Sequence, residues 1–220
     1  MPDRAVTIKS TGETIRVGKI LCLGRNYPEH AREMNAQMPS TPIVFLKPST
    51  ALLHDGGEVI IPPVSRALHY EAELVVLIGK DGKHIAAGKE FDHVLGYAVG
   101  LDMTLRDIQS DAKSKGLPWA VAKGFDTSAP VSSVIEKEKV PDPHNLTLTL
   151  KVNGQVRQQA GTGMMMFRIE RIIAYLSTIF TLERGDLVFT GTPEGVGQVR
   201  SGDLLEAELS SVGRLTVRIH

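Results

Sequence analysis

YEAELVVLIG, Tyr70–Gly79, sets two carboxylates, Glu71 and Glu73, ahead of the unbroken apolar run Leu74–Ile78, which a glycine closes. A short apolar run rich in β-branched residues and ended by turn chemistry reads as a buried strand. The same grammar recurs on both sides, at Ile20–Leu23, Ile43–Lys47, Val59–Ile61, Val94–Leu101, Leu146–Val152, Leu187–Thr190, Leu204–Glu208 and Leu215–Ile219, with the opening strand itself read as Tyr70–Ile78. Asn153-Gly154, between LTLTLKV and QVRQ, predicts a tight hairpin because both residues tolerate positive φ. Asp81-Gly82 carries a weaker signal of the same kind.

Helical spacing is scarcer. Phe167–Phe180 repeats apolar residues every three or four positions and predicts a helix. Thr104–Lys113 is a second candidate, with Thr104 and Asp107 spaced as a capping box. Pro28–Ala36 is a third, with Pro28 suited to a first helical turn and Asn26 or Tyr27 as its cap. The fold class expected is therefore α+β, mainly β: an N-terminal arm over residues 1–18, able to form its own hairpin, and one β-rich domain over 19–220.

Composition bounds the function. The 220 residues hold 42% hydrophobic and 23% charged side chains, with 25 basic and 25 acidic residues and a formal net charge of zero. Nothing here has the basic excess of a nucleic-acid or membrane-surface binder. No apolar stretch reaches membrane-spanning length, and the first residues lack the apolar core of a signal peptide. A single cysteine, Cys22, lies in the apolar run KILCLG and points to a reducing compartment such as the cytoplasm.

Several constellations carry chemistry. On a strand, Glu71 and Glu73 share one face about 6.5–7 Å apart, so both carboxylates reach one point at the edge of a buried strand. Read alone they are an exposed polar strand start or a cation site, since a bound cation offsets both their repulsion and their desolvation. Asp102 ends VLGYAVGLD on a face of small residues. It is either a helix cap or a third oxygen donor for magnesium, manganese or calcium. His69 shares the Glu71 face and is a weaker candidate. His30 and Glu33 are i, i+3 neighbours on the predicted helix, so the carboxylate can orient the imidazole as a general base requires; the alternative is an exposed helix with incidental charges. Arg25, Lys47, Arg106 and Lys123 stand at strand ends, in loops or in a first helical turn, with Gln109 three residues beyond Arg106; they suit substrate carboxylates or a developing oxyanion, or are solvated surface charges. FTGTPEGVG, Phe189–Gly197, runs from a strand into a glycine-rich turn whose N–H groups and Thr192 hydroxyl suit a carboxylate, and which lacks the P-loop ending.

Taken in order, GRNYPEHAREM, FLKP, HYEAELVVLIG, GYAVGLDMTLRDIQ, AKGFDTSAP, VNGQVRQ and GDLVFTGTPEGVG resemble the fumarylacetoacetate hydrolase family, over Lys19 to His220. The likeness is strongest to its short acylpyruvate or fumarylpyruvate hydrolases. It implies mixed β-roll sheets, a homodimer, and Mg2+ or Mn2+ held by Glu71, Glu73 and Asp102, with Ca2+ as a non-native occupant. It implies a lid helix bearing the His30–Glu33 dyad, Lys123 beside the metal, and Arg25, Arg106, Gln109 and Thr192 lining the pocket, with Lys47 as a further substrate contact. The reaction implied first is cleavage of a C–C bond in a small 2,4-dioxo acid to pyruvate and a carboxylic acid. His30 would activate water and Lys123 would stabilise the negative charge on oxygen. Oxaloacetate decarboxylation or tautomerisation, or isomerisation of a hydroxy-dienedioate, is the alternative on the same site.

Overall fold

The computed structural model describes residues 4–34 and 37–220. The chain is mainly β, with mixed, curled sheets and short helices packed at their ends. The central sheet runs, neighbour to neighbour, through Ile43–Lys47, Ile20–Gly24, Leu187–Phe189, Ala72–Ile78, Val94–Leu101, Ala129–Val131 and Leu52–His54. Two of its pairings are parallel, Leu187–Phe189 with Ile20–Gly24 and Ala129–Val131 with Leu52–His54; the others along the path are antiparallel. All seven residues of Ala72–Ile78 are buried. This explains the unbroken apolar run: Leu74, Val76 and Ile78 face one core, and Val75 and Leu77 face a second. A strand covered on both faces has no reason to alternate.

A five-stranded sheet, Gln155–Gly161, Thr147–Val152, Leu204–Leu209, Gly213–Ile219 and Glu58–Val59, contributes to the larger core. Helix α4, Ile169–Ile179, adds Ile169, Ile172, Ile173 and Leu176. The smaller core takes Val6, Ile8, Ile15 and Val17 from the N-terminal hairpin, Ala5–Thr7 with Thr14–Arg16. The hairpin expected at Asn153-Gly154 forms, with φ of 51° and 77° at its two residues.

Four expectations change in detail. The strand expected as Tyr70–Ile78 is broken at Glu71 into Leu68–Tyr70 and Ala72–Ile78, because the Ala72 N–H turns to the Gln158 side chain. Asp81-Gly82 makes no tight hairpin: Gly82 exchanges both backbone bonds with Leu182. Helix α1 covers Pro28–Glu33 and α2 covers Arg106–Ser114, and neither has a side-chain cap. Residues 35 and 36 of the first expected helix lie outside the described residues. Thr104 enters a two-residue strand instead of capping α2, because its hydroxyl oxygen accepts from Lys123.

Candidate metal centre and active site

Antiparallel register builds the site. Ala72 pairs with Leu101 and Glu73 with Gly100, so Glu71 falls opposite Asp102, whose N–H donates to the Glu71 carbonyl at 2.8 Å. Two adjacent strands thus bring three carboxylates to one end of the sheet. Oxygens of Glu71, Glu73 and Asp102 lie within 4.8 Å of one another, and all three residues are buried.

The three are not equivalent. Glu71 accepts from Lys123 Nζ at 2.8 Å and pairs with Arg106 Nη2. Burial pushes its carboxyl up, but Lys123 and Arg106 more than offset that and hold it well below the usual carboxylate range. Asp102 accepts from Lys123 Nζ at 2.6 Å, with Lys47 Nζ 2.8 Å away on its other oxygen. Glu73 has only the Gly191 N–H, at 2.6 Å on Oε2, and its Oε1 is buried without a partner. Burial, Asp102 and Glu71 push its carboxyl well above the usual range. An unpartnered buried carboxylate oxygen costs several kcal/mol unless it takes a proton or meets a cation. With an all-oxygen donor set, the residues fit a hard divalent cation.

Gly191 must be glycine for this geometry. Its φ is +97°, and a Cβ there would stand 2.6 Å from the Asn26 Cβ. Of the two cap candidates, Tyr27 takes the N-cap position of α1 and Asn26 is a buried staple. Its Nδ2 donates to Phe167 O and Thr190 O, and its Oδ1 accepts from Phe167 N.

Helix α3, Ala120–Lys123, carries Lys123 inward, where its three protons go to Glu71, Asp102 and Thr104 Oγ1. Burial works against the ammonium, but Asp102 and Glu71 hold its pKa above the ordinary lysine value. Lys123 is therefore a fixed cation and is unsuited to accept a proton. Across the cleft, His30 on α1 is buried, with Nδ1 at 3.3 Å from Glu33 Oε2. The Glu33 carboxylate also accepts the Gly195 N–H at 3.1 Å, which ties α1 to the FTGTPEGVG turn. With Nδ1 facing a carboxylate, Nε2 is the imidazole nitrogen left for chemistry.

Arg25, His30, Glu71, Arg106, Gln109, Lys123 and Thr192 line one pocket, walled also by Met34, Phe45, Lys113 and Trp119. Its volume is about 40 Å³. One expected contact lies off the pocket lining, and another lines it with its hydroxyl turned inward to the backbone. Lys47 stands behind Asp102, not in the pocket wall, because Met103 O, Lys123 O and Ser128 Oγ draw its ammonium into the sheet. The Thr192 hydroxyl faces the scaffold, donating to Ala72 O at 2.8 Å. His69 is half-buried, its pKa lowered to about 4 by burial and by Arg106, and it is not one of the clustered donors.

Gln158 escapes sequence reasoning. The hairpin strand that bears it reads as exposed, yet the side chain is 1% exposed. Its Oε1 accepts the Ala72 N–H at 3.0 Å, and its Nε2 donates to Thr192 Oγ1 and Pro193 O, both at 2.9 Å. With the Thr192–Ala72 bond this closes a ring that fixes the backbone between Glu71 and Glu73. Gln158→Ala leaves several buried polar groups unpaired. It is expected to cost about 2–4 kcal/mol in chemical denaturation and to weaken metal binding in calorimetry. Unchanged stability would show that the ring holds nothing.

Comparison with known proteins agrees with this arrangement. Residues 19–220 match the family model described as fumarylacetoacetate (FAA) hydrolase C-terminal. The mitochondrial oxaloacetate tautomerase FAHD1 of Bos taurus is 51% identical over 193 residues, 88% of this chain and 87% of that protein. Its Homo sapiens counterpart is 48% identical over 200 residues, 91% and 90% of the two chains. The crystal structure of fumarylpyruvate hydrolase from Pseudomonas aeruginosa, in complex with Mn2+ and pyruvate, is similar with a TM-score of 0.94 and 39% identity, over 98% of this chain and 94% of that one. A sequence match over residues 19–220 and a fold match over 98% of the chain, with the acidic cluster at the sheet end, identify the chain as a member of the fumarylacetoacetate hydrolase family.

Proposed function

We propose that the protein is a divalent-metal-dependent enzyme interconverting the keto and enol forms of a small 2-oxo acid, with oxaloacetate as the first substrate to test. The observation that carries this reading is the pairing of one carboxylate cluster, short of a cation at Glu73 Oε1, with a buried imidazole whose Nδ1 faces the Glu33 carboxylate and whose Nε2 makes no hydrogen bond among the described residues. The names of the mammalian relatives favour tautomerisation over the C–C hydrolysis that the sequence motifs put first.

Glu71, Glu73 and Asp102 would hold Mg2+ or Mn2+, which when bound supplies Lewis acidity toward carboxylate and 2-oxo oxygens. His30 Nε2 takes a proton from C3 of the keto form and, as imidazolium, delivers it to the 2-oxo oxygen to complete the enol; the reverse direction retraces the same two transfers. Glu33 keeps Nδ1 protonated and the ring oriented. Lys123, permanently charged, stabilises negative charge on the substrate oxygen. Arg106 and Gln109 position a substrate carboxylate. The pocket has room for only a few waters, at about 10–15 Å³ each on this measure. A four-carbon acid therefore enters only if α1 and Met34 move outward, which makes α1 a lid.

With Mg2+ present, decay of the enol absorbance of freshly dissolved oxaloacetate should be accelerated in proportion to enzyme concentration. No acceleration with either Mg2+ or Mn2+ would sink this reading. Hydrolysis of a 2,4-dioxo acid is the second reading, favoured by the similar fumarylpyruvate hydrolase structure bound to pyruvate. Release of pyruvate from acetylpyruvate or fumarylpyruvate separates it from the first.

A further inference from the structure

With all three carboxylates ionised, the inner site is balanced in formal charge. Its three carboxylates, Glu71, Glu73 and Asp102, are matched by Lys47, Lys123 and Arg106. A divalent cation would leave this group positive by two. Two more cations, Arg25 and Lys113, line the outer part of the same pocket. Neither makes an ion pair or hydrogen bond with any described residue. Glu33, the further carboxylate nearby, is already engaged by His30 and Gly195. The surplus calls for an anionic ligand of more than one charge.

Lys113 reaches this place by helix geometry. It follows Arg106 by seven residues and Gln109 by four on α2, which stacks the three on one face. Arg106 and Gln109 are committed to each other at 2.7 Å, and Arg106 to Glu71. Lys113, one turn further on, is the member of that face with no ion pair or hydrogen bond among the described residues. Arg25 comes from a different part of the lining, on the segment between Ile20–Gly24 and α1, with φ of +58°. Non-glycine residues seldom adopt that conformation. The two cations and Arg106 crowd one another: the Lys113 ammonium is held below the ordinary lysine range by burial and then by Arg25 and Arg106. Cations that crowd without a counterion are relieved when a carboxylate arrives.

We propose that Lys113, together with Arg25, seats a second carboxylate, so that the enzyme selects 2-oxo dicarboxylates over 2-oxo monocarboxylates. This deepens the proposed function and rests on it, because the first carboxylate and the 2-oxo group are taken to lie at the acidic cluster. Lys113 is a specificity residue on this account, remote from the atoms that react.

The test uses the full chain with saturating Mg2+. Lys113→Gln is measured with a dicarboxylate, oxaloacetate, and a monocarboxylate, acetylpyruvate. Loss of one charge-assisted contact is expected to raise KM for the dicarboxylate about tenfold to a hundredfold. Its kcat should stay near wild type, as should both parameters for acetylpyruvate. Lys113→Arg should restore most of the affinity, and Lys113→Glu should weaken it further. Equal effects on the two substrates, or no effect on either, would overturn the proposal. Inhibition by oxalate separates the two levels of inference, since oxalate is too short to span the pocket. If oxalate binds wild type and Lys113→Gln equally and only with Mg2+, the inner site stands and the dicarboxylate result alone decides the role of Lys113. If oxalate binds neither with Mg2+, the metal-site reading fails and this proposal with it.

Discussion

His30→Ala is expected to slow turnover of the best substrate about 10²–10⁴-fold, the range a positioned general base contributes. Metal affinity should stay at the wild-type value. The separation follows from geometry: His30 approaches the pocket from α1, while the acidic cluster belongs to the sheet end. Glu33→Gln tests the second half of the dyad. The glutamine keeps the size of the side chain and can still accept the Gly195 N–H, but it no longer presents a carboxylate to Nδ1. It should retain the fold and lose part of the rate, a smaller loss than that of the histidine variant. Steady-state rates with Mg2+, read beside calorimetric Mg2+ titrations of the same proteins, check both statements. Wild-type turnover by His30→Ala with every 2-oxo acid tried would remove the histidine from the chemistry.

How much of this was legible in the sequence depends on whether the signal is local. Strand positions were readable because a β-branched run closed by glycine carries its own cause, as at Leu74–Ile78 and Val94–Leu101. The acidic donors were readable as candidates because buried-strand context makes a carboxylate conspicuous. Their convergence was not. It depends on which strands are neighbours and on register, and a shift of one residue would turn Asp102 away from Glu71. The same non-local effect removes Lys47 from the pocket lining, because Lys123 O and Met103 O, from remote segments, draw its ammonium away. Thr192 stays in the lining while its hydroxyl is committed to Ala72 O. Gln158 shows the converse. Its strand, QVRQQAG, is polar and mostly exposed, so no pattern marks the one glutamine that folds inward onto Ala72, 86 residues away. Lys113 was hidden for a simpler reason. A lysine on a polar helix reads as surface until the rest of the pocket lining, with Arg25, is known.

Glu73→Gln is expected to abolish metal-dependent activity, a loss of at least about 10³-fold, since several kcal/mol of charge stabilisation depend on the ion and each 1.36 kcal/mol is tenfold. The same variant should leave the metal-free fold as stable as wild type or more so. The sign comes from the shift at Glu73, whose carboxyl is pushed well above its ordinary 4.5 by burial and by Asp102 and Glu71. An acid whose folded pKa is raised favours folding while protonated. Its contribution is therefore lost as pH rises from the ordinary value through the folded one. Glutamine imitates the protonated acid and cannot ionise, so it escapes that loss. In the wild type, Mg2+ takes the place of the proton, so the stabilisation it gives should grow with pH, larger at the higher of two pH values above the ordinary carboxylate range. At a Mg2+ concentration of about a hundred times Kd, linkage gives about 2.7 kcal/mol. For a chain of this size that is a rise in Tm of about 5–10 °C. Thermal unfolding of both proteins, with chelator and with Mg2+ at the two pH values, reads every part of this. A Mg2+-dependent rise in Tm that survives in Glu73→Gln would place the ion elsewhere, and the unpartnered Oε1 would then need another explanation.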